Sequence, residues 1–166
     1  PLAFSYPLMK RFTYWPQLFL GITFNYGLVL GWTSIHSGID YISIIFYLGA
    51  IFWTLGYDTI YGFQDIKDDE IIGLKSTSIK FKEIPYLFIC ITYSIFFLSL
   101  IIVGYLAKLN FFYYMILLII FLQLFFKQIK ELNIKDPKSC LKAFKSNNYL
   151  GIYVFGGLLI GKIFNL

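Results

Sequence analysis

Five long stretches of the chain contain no aspartate, glutamate, lysine or arginine: Phe12–Ile39, Tyr41–Tyr57, Ile84–Ala107, Leu109–Phe126 and Ser146–Gly161. A helix of roughly 20 apolar residues crosses the hydrocarbon core of a bilayer, and each stretch is close to that length. Because a backbone in lipid must satisfy its own hydrogen bonds, helices are the economical structure for such runs. The sequence therefore predicts an all-α fold, a polytopic bundle of transmembrane helices with about five spans.

The composition excludes an ordinary soluble globule. Hydrophobic residues make up 58% of the chain and charged residues 14%, against about a quarter charged in soluble domains. The net charge of +5 does not indicate a nucleic-acid partner, because the basic residues lie in loops between apolar spans, next to lipid headgroups. Cys90 and Cys140 lack metal-binding spacing, and His36 stands alone in a short loop, as solvated histidines do.

The order of the spans predicts the topology. Residues 1–9 have the pattern of the last turns of a helix, the end of a sixth span, that begins before this chain. The next helix follows Trp15 and Pro16 and is predicted to end at about Trp32. Further helices are predicted over about 41–63, 84–106, 110–127 and 149–164, and a short interfacial helix is predicted to start near Pro137. Of the 14 lysines and arginines, all but Lys108 and Lys162 then share one side. By the positive-inside rule this side is the cytoplasm, or the matrix of a mitochondrion.

An acid-rich segment, Asp58–Glu70, follows the second uncharged stretch on that side. On a continuous helix that advances about 100° per residue, Asp65 and Asp69 fall roughly 20° to either side of Asp58, and Tyr61 lies about 60° away. Asp58 borders a long uncharged run, where an ionisable group is costly and usually serves a site. The later carboxylates would crowd a helix C-terminus, where the dipole disfavours negative charge.

A divalent cation would remove both penalties. Mg²⁺ binds one or two carboxylates together with substrate phosphates. Cations for a polyanionic ligand are near: Tyr6 and Lys10 are four residues apart on one helix face, Arg11 follows, and Lys75 comes after the acidic segment. The alternatives are a solvated acidic loop that ends the helix, and basic residues that only mark the membrane boundary.

The motifs resemble those of the UbiA-type intramembrane prenyltransferases. The spacing Asp58-x-x-Tyr61-x-x-x-Asp65-x-x-x-Asp69, followed by Gly73-x-Lys75-Ser76, resembles the second aspartate motif of that family. Tyr6-x-x-x-Lys10 resembles its Tyr-x-x-x-Lys motif. Similarity to the 4-hydroxybenzoate polyprenyltransferase branch extends to Met9-Lys10-Arg11-Phe12-Thr13, Trp15-Pro16-Gln17, Tyr57-Asp58-Thr59-Ile60-Tyr61, Gln64-Asp65 and the tail residues Asp136, Cys140, Phe144, Asn148 and Gly151. Gly62 departs from the pattern, which has alanine there.

The resemblance covers essentially the whole chain and implies a nine-helix prenyltransferase fold. The family's first motif, Asn-x-x-x-Asp-x-x-x-Asp, has no counterpart between Pro1 and Lys10. Residues 1–166 are therefore expected to be a single membrane domain, incomplete at the N-terminus, without the first three or so helices and the first aspartate motif. Such a fragment is expected to be inactive alone, with the missing N-terminal portion, as a separate chain, among its partners.

The resemblance also implies a reaction, the Mg²⁺-dependent transfer of a polyprenyl group from polyprenyl diphosphate to 4-hydroxybenzoate in ubiquinone biosynthesis, beside membrane lipid. The implied metal ligands are Asp65 and Asp69. The implied catalytic residues are Asp65, Asp69 and Arg11, and the implied substrate-binding residues are Tyr6, Lys10, Arg11, Asp58, Tyr61 and Lys75.

Three further expectations concern location and alternatives. The protein is expected in a bacterial inner membrane with its site facing the cytoplasm, a mitochondrial inner membrane being the second choice. The nearer alternative function is a UbiA-type enzyme with another acceptor, such as a naphthoate, homogentisate or haem. The more distant alternative is a non-enzymatic transporter or membrane subunit that uses Asp58 as an intramembrane carboxylate.

Overall fold

The computed structural model describes residues 8–163, which are helical with no strand in that range. Residues 8–12 are helical. The elements that follow are α1 (Pro16–Phe24), α2 (Tyr26–Ile35), α3 (Tyr41–Gly62), α4 (Ile66–Ile72), α5 (Thr77–Lys80), α6 (Pro85–Leu106), α7 (Phe111–Phe121), a π-helix (Leu122–Ile129) and α8 (Pro137–Ile163).

Local sequence sets the starts of the main helices. Proline occupies the first turn of α1 and of α6, at Pro16 and Pro85, where its missing N–H removes no intrahelical hydrogen bond. The Asp40 carboxylate accepts from the backbone N–H of Ser43 at 2.9 Å, and the Ser43 hydroxyl accepts from the backbone N–H of Asp40 at 3.2 Å. This reciprocal pair is a capping box, and it begins α3 at Tyr41, the residue that the sequence predicts.

Four helical segments within the described residues are long and apolar enough to cross a membrane: Pro16–Ile35, Tyr41–Gly62, Pro85–Leu106 and Phe111–Ile129. The polytopic all-α bundle is thereby confirmed. Three details differ from the prediction. The last predicted span, over about 149–164, is not among these four segments. The first span is interrupted at Asn25, which ends α1 and begins α2. The short interfacial helix expected at Pro137 is instead continuous with the last predicted span, in the single 27-residue helix α8.

Helix α3 lies at the centre of the bundle, packed against α1, α6 and α8. Small residues allow the close approach of α3 to α6, because a Cβ at Gly56 would stand 2.5 Å from the Tyr93 ring, and one at Gly49 would overlap Ser99. Small residues at helix contacts are typical of packing in lipid. Phe96 and Leu100 of α6 are fully buried in the resulting core. This core supports the charged end of α3, which carries the candidate site.

Candidate active site

The acid-rich segment is divided between two helices. Helix α3 ends at Gly62, a turn follows, and α4 begins at Ile66 with Asp65 as its N-cap residue. The continuous stripe expected from helical periodicity is therefore wrong: Asp58 lies on α3, whereas Asp69 lies in the first turn of α4. The expected dipole penalty is wrong as well, because the carboxylates of the second helix stand at its N-terminus, where partial positive charge favours them.

Asp69 is the buried carboxylate of this segment and pairs with Lys10. The residue as a whole is 7% exposed, and its Oδ2 lies 3.3 Å from the Lys10 ammonium. The backbone N–H of Asp69 donates to the carbonyl of Asp65 at 2.9 Å, so the two aspartates are one turn apart. The backbone N–H of Lys75 donates to the Lys10 carbonyl at 2.7 Å. Tyr6, predicted beside Lys10, lies outside the described residues.

Other predicted site residues are more open. Asp65 is exposed, and its side chain makes no capping hydrogen bond. Arg11 is exposed as well. The Lys75 ammonium lies 3.5 Å from the carbonyl oxygen of Phe12 and 5.6 Å from the centre of the Tyr14 ring. The structure thus pairs Lys10 with Asp69 and joins the backbone of Lys75 to that of Lys10, whereas Asp65 and Arg11 are exposed.

Asp58 and Tyr61 project from the last turns of α3. Asp58 is half-buried, and the Lys10 ammonium acts on it electrostatically. Tyr61 is 40% exposed, and its ring centre lies 4.7 Å from that of Phe144 on α8. Tyr57 lies edge-on to the same ring at 5.7 Å. These contacts form an aromatic wall, Tyr57, Tyr61 and Phe144, on the α8 side of Asp58.

A polar cluster under the acidic segment was not predicted as part of the site. The Gln17 side-chain oxygen accepts from the backbone N–H of Thr77 at 3.0 Å, and the hydroxyls of Thr59 and Thr77 are 2.6 Å apart. The Ser78 hydroxyl donates to the carbonyl of Thr59 at 2.8 Å. All four side chains are buried, and they fasten the segment after α4 to α1 and α3. The sequence signal that could have indicated this cluster is the position of Gln17 and Thr59, polar residues in or next to uncharged stretches.

A second missed network crosses the bundle beside the aromatic wall. The Asn147 side-chain oxygen on α8 accepts from the Trp53 indole N–H at 2.8 Å and from the Gln128 amide at 3.2 Å. The Tyr93 hydroxyl donates to the Gln128 side-chain oxygen at 2.7 Å. Gln128 is buried in the π-helix, an element that is frequent at functional sites. The network joins α3, α6, the π-helix and α8 one turn from Phe144.

The donor set suits half of a magnesium site. Carboxylate oxygens are the ligands that Mg²⁺ takes from proteins, with substrate phosphates and water completing its shell. Asp65 and Asp69 supply two carboxylates one helical turn apart. Over residues 8–163 no group of three or more acidic, histidine or cysteine side chains converges on one point. The described residues therefore fit a metal that is shared with a phosphate ligand, and do not form an all-protein cage.

Comparisons with known proteins identify the family. The UbiA prenyltransferase family matches residues 1–152. The mitochondrial 4-hydroxybenzoate polyprenyltransferase of Arabidopsis thaliana is 43% identical over 98% of this chain and 40% of its own length. The enzyme of the same name from Bos taurus is 42% identical over 98% of this chain and 44% of its own length. 4-Hydroxybenzoate geranyltransferase 2 of Lithospermum erythrorhizon is 38% identical over 99% of this chain and 54% of its own length.

The chain thus spans about half, or less, of the length of the curated relatives it matches. No solved structure matches it. The resemblance drawn from the motifs is confirmed, since the family match covers the acidic segment, the residues around Lys10 and most of α8. The chain belongs to the UbiA prenyltransferase family.

Proposed function

We propose that the protein to which this chain belongs transfers a polyprenyl group from polyprenyl diphosphate to 4-hydroxybenzoate, a step of ubiquinone biosynthesis, with Mg²⁺ as its metal. The observation that carries the proposal is the buried Asp69 carboxylate, paired with Lys10 and one helical turn from Asp65. Two carboxylates and an ammonium in this part of the fold would suit a metal-bound diphosphate. The names of the relatives support the choice of acceptor.

In this proposal Asp65 and Asp69 hold Mg²⁺, which when bound neutralises the diphosphate leaving group. Lys10 and Tyr6 bind diphosphate oxygens, and Lys75, close to the Lys10 backbone, adds a further positive charge. The allylic carbon–oxygen bond breaks, and the diphosphate leaves with both electrons. A carbon–carbon bond then forms at the ring carbon ortho to the hydroxyl, and that carbon loses its proton to the released diphosphate.

The acceptor is bound by residues on the open side of α3. Arg11 grips the carboxylate of 4-hydroxybenzoate through its planar guanidinium. Asp58 and Tyr61 line the acceptor pocket. The aromatic wall of Tyr57, Tyr61 and Phe144 keeps water away from the allylic cation, which water would otherwise quench.

The proposed activity is that of the whole protein. The relatives are about twice as long as the region they share with this chain, and Asp65 and Asp69 are only two of the carboxylates that a diphosphate-bound metal site uses in the family. We expect residues 1–166 to be inactive without the N-terminal portion, whether that portion is joined to them or separate.

The proposed location is an inner membrane, with the acidic segment on the side that carries most of the lysines. The expectation of a bacterial inner membrane draws no support from the Arabidopsis thaliana and Bos taurus relatives, which are named mitochondrial. In a mitochondrion the same topology directs the site to the matrix.

The test uses the full-length protein in liposomes, with labelled 4-hydroxybenzoate and a polyprenyl diphosphate. Asp65→Asn and Asp69→Asn should each lower turnover by roughly 10²–10³-fold, the range found when a transition-state charge stabiliser is removed. Asp68→Asn, a neighbouring exposed carboxylate, is the matched control. Chelation should stop turnover and Mg²⁺ should restore it. Equal activity of all three variants would overturn the site, and a preference for a naphthoate or homogentisate would overturn the acceptor.

A further inference from the structure

A basic cleft lies on the outer side of α8, separate from the candidate active site. Its volume is about 440 Å³, and its lining includes Lys127, Lys138, Lys142, Lys145, Leu141 and Tyr149. No acidic residue lines this cleft, and its four lysines are exposed and take part in none of the ion pairs found within residues 8–163. Glu131 and Asp136 line a neighbouring cavity that shares Lys127, Lys138 and Lys142 with this cleft.

Helical geometry separates this cleft from the aromatic wall. At about 100° per residue, Lys138, Lys142, Lys145 and Tyr149 fall within a stripe roughly 60° wide along α8. Phe144 lies at least about 100° from every member of that stripe, and its ring contacts Tyr57 and Tyr61 of α3. The lysine stripe therefore faces away from the residues assigned to the substrates.

A second cleft continues from the first toward the bilayer. It has a volume of about 300 Å³ and shares Lys127 with the basic cleft. Its apolar lining residues are Ile119, Leu122, Phe126 and Tyr153, and the first three belong to the candidate span Phe111–Ile129. Gln123 and Glu131 complete the lining, and Glu131 follows the end of that span. Leu122 and Phe126 are about half exposed, so this apolar surface is open to lipid.

We propose that the two clefts bind one anionic membrane phospholipid, with its headgroup phosphate among the four lysines and an acyl chain along the second cleft. Both charge and shape support this assignment. The basic cleft lies at the level of the loops, the second cleft follows a transmembrane helix, and Lys127 lines both. Clusters of lysine next to membrane spans attract anionic headgroups from the leaflet that they face. The proposal does not depend on the proposed function.

A polyprenyl diphosphate has related chemistry, a phosphate head on an apolar tail, but we assign the site to phospholipid. The stripe faces away from Asp69 and Lys10, so a diphosphate held there would be on the wrong side of α8 for the proposed reaction. The exposed surface of the second cleft is also in direct reach of the bilayer, where phospholipid is the abundant phosphate-bearing amphiphile.

The test measures lipid binding by the full-length protein in detergent, by native mass spectrometry with phosphatidylglycerol and, for comparison, phosphatidylcholine. The structure predicts preferential binding of phosphatidylglycerol, weakened by salt, and a loss of roughly tenfold or more in the triple variant Lys138→Gln, Lys142→Gln, Lys145→Gln. The matched control, Lys67→Gln, Lys80→Gln, Lys82→Gln, removes the same charge elsewhere and should retain binding. All six lysines lie in exposed parts of the fold, so folding should persist.

A second variant tests the apolar half. Leu122→Trp fills the second cleft without changing charge, and it should weaken binding of a long-chain phosphatidylglycerol at least severalfold while leaving glycerol phosphate binding unchanged. Equal affinity for the two phospholipids, or equal loss in both triple variants, would overturn the proposal. Displacement of the phospholipid by geranyl diphosphate from this cleft would reassign it to the prenyl substrate and equally overturn it.

Discussion

The Lys10 ammonium lies 3.3 Å from the Asp69 carboxylate, although the two residues are 59 positions apart in the chain. The other ion pair within residues 8–163, between Lys82 and Glu70, is shorter at 2.8 Å. The two pairs differ in burial: the Asp69 side chain is 10% exposed, whereas those of Lys82 and Glu70 are 47% and 41% exposed. Burial, and not distance, decides which pair matters for stability, because water screens an exposed pair.

Lys10→Met should lower the free energy of unfolding by about 1–3 kcal/mol, because it leaves the Asp69 carboxylate buried without its charged partner. Lys82→Met, the matched control, should leave stability unchanged within experimental error. Denaturation of the full-length protein in detergent, followed by circular dichroism, would compare the two. Equal stability of both variants would show that Asp69 is solvated and that the pair does not organise the site.

Gly56→Ala should destabilise the contact between α3 and α6. The added Cβ would stand 2.5 Å from Tyr93 Cε1 and 2.7 Å from the Thr92 hydroxyl, and both of these side chains are buried. Overpacking of this kind costs typically about 1–3 kcal/mol. Gly31→Ala, in α2, is the control, since its Cβ meets nothing within 4 Å. A drop in melting temperature for Gly56→Ala alone is expected, and a drop for neither variant would contradict the packing described.

Cys140 should resist thiol reagents in the folded protein. Its side chain is fully buried, and burial raises the pKa of the thiol from 9.0 to about 11. The reactive thiolate is therefore scarce at neutral pH. A Cys90→Ala variant isolates this thiol for maleimide labelling, which should proceed only after unfolding. Rapid labelling under native conditions would contradict the burial.

The same shift gives stability a pH dependence. The folded state holds the Cys140 proton more tightly than the unfolded state. The protonated thiol therefore contributes fully to the free energy of unfolding below pH 9.0, and this contribution is lost as the pH rises through about 11. Cys140→Ala should remove this part of the alkaline decline in melting temperature. An unchanged decline would assign it to other groups.

The sequence predicted the membrane-spanning helices well, because a run of about 20 residues without charge can be recognised from the sequence of that segment alone. It located α3, α6 and the span Phe111–Ile129, which α7 and the π-helix form together, to within a few residues. The break at Asn25 was not predictable in this way. The Asn25 amide donates to the carbonyl of Ala50 at 3.2 Å and to the Thr54 hydroxyl at 2.8 Å, and those partners are known only once α1 has packed on α3.

The candidate site was predicted less completely, because its geometry depends on where a helix ends. Periodicity aligned Asp58, Asp65 and Asp69 only under the assumption of one helix, and the turn after Gly62 separates them. The pattern could not show that Asp69 is buried against Lys10 while Asp65 is exposed. The roles assigned to these residues remain predictions, as does that of Tyr6.

The last prediction concerns Asn147, which the sequence offered no reason to prefer over Asn148. Asn147 is buried and accepts hydrogen bonds from Trp53 and Gln128, whereas Asn148 is exposed. Asn147→Leu leaves the indole N–H and the amide without this acceptor, so a loss of about 1–2 kcal/mol is expected. Asn148→Leu should change neither stability nor turnover.

Asn147 lies one turn from Phe144, so its loss should also loosen the aromatic wall, in which Phe144 packs against Tyr61. In the full-length enzyme we expect Asn147→Leu to raise the KM for the acceptor severalfold, with a smaller effect on the KM for the diphosphate, since Asp69 and Lys10 are untouched. A purely structural role would lower the amount of active enzyme and leave both KM values unchanged. Steady-state kinetics on Asn147→Leu and Asn148→Leu, normalised to folded protein, distinguish these outcomes, and unchanged KM values would show that the network supports the bundle without positioning the wall.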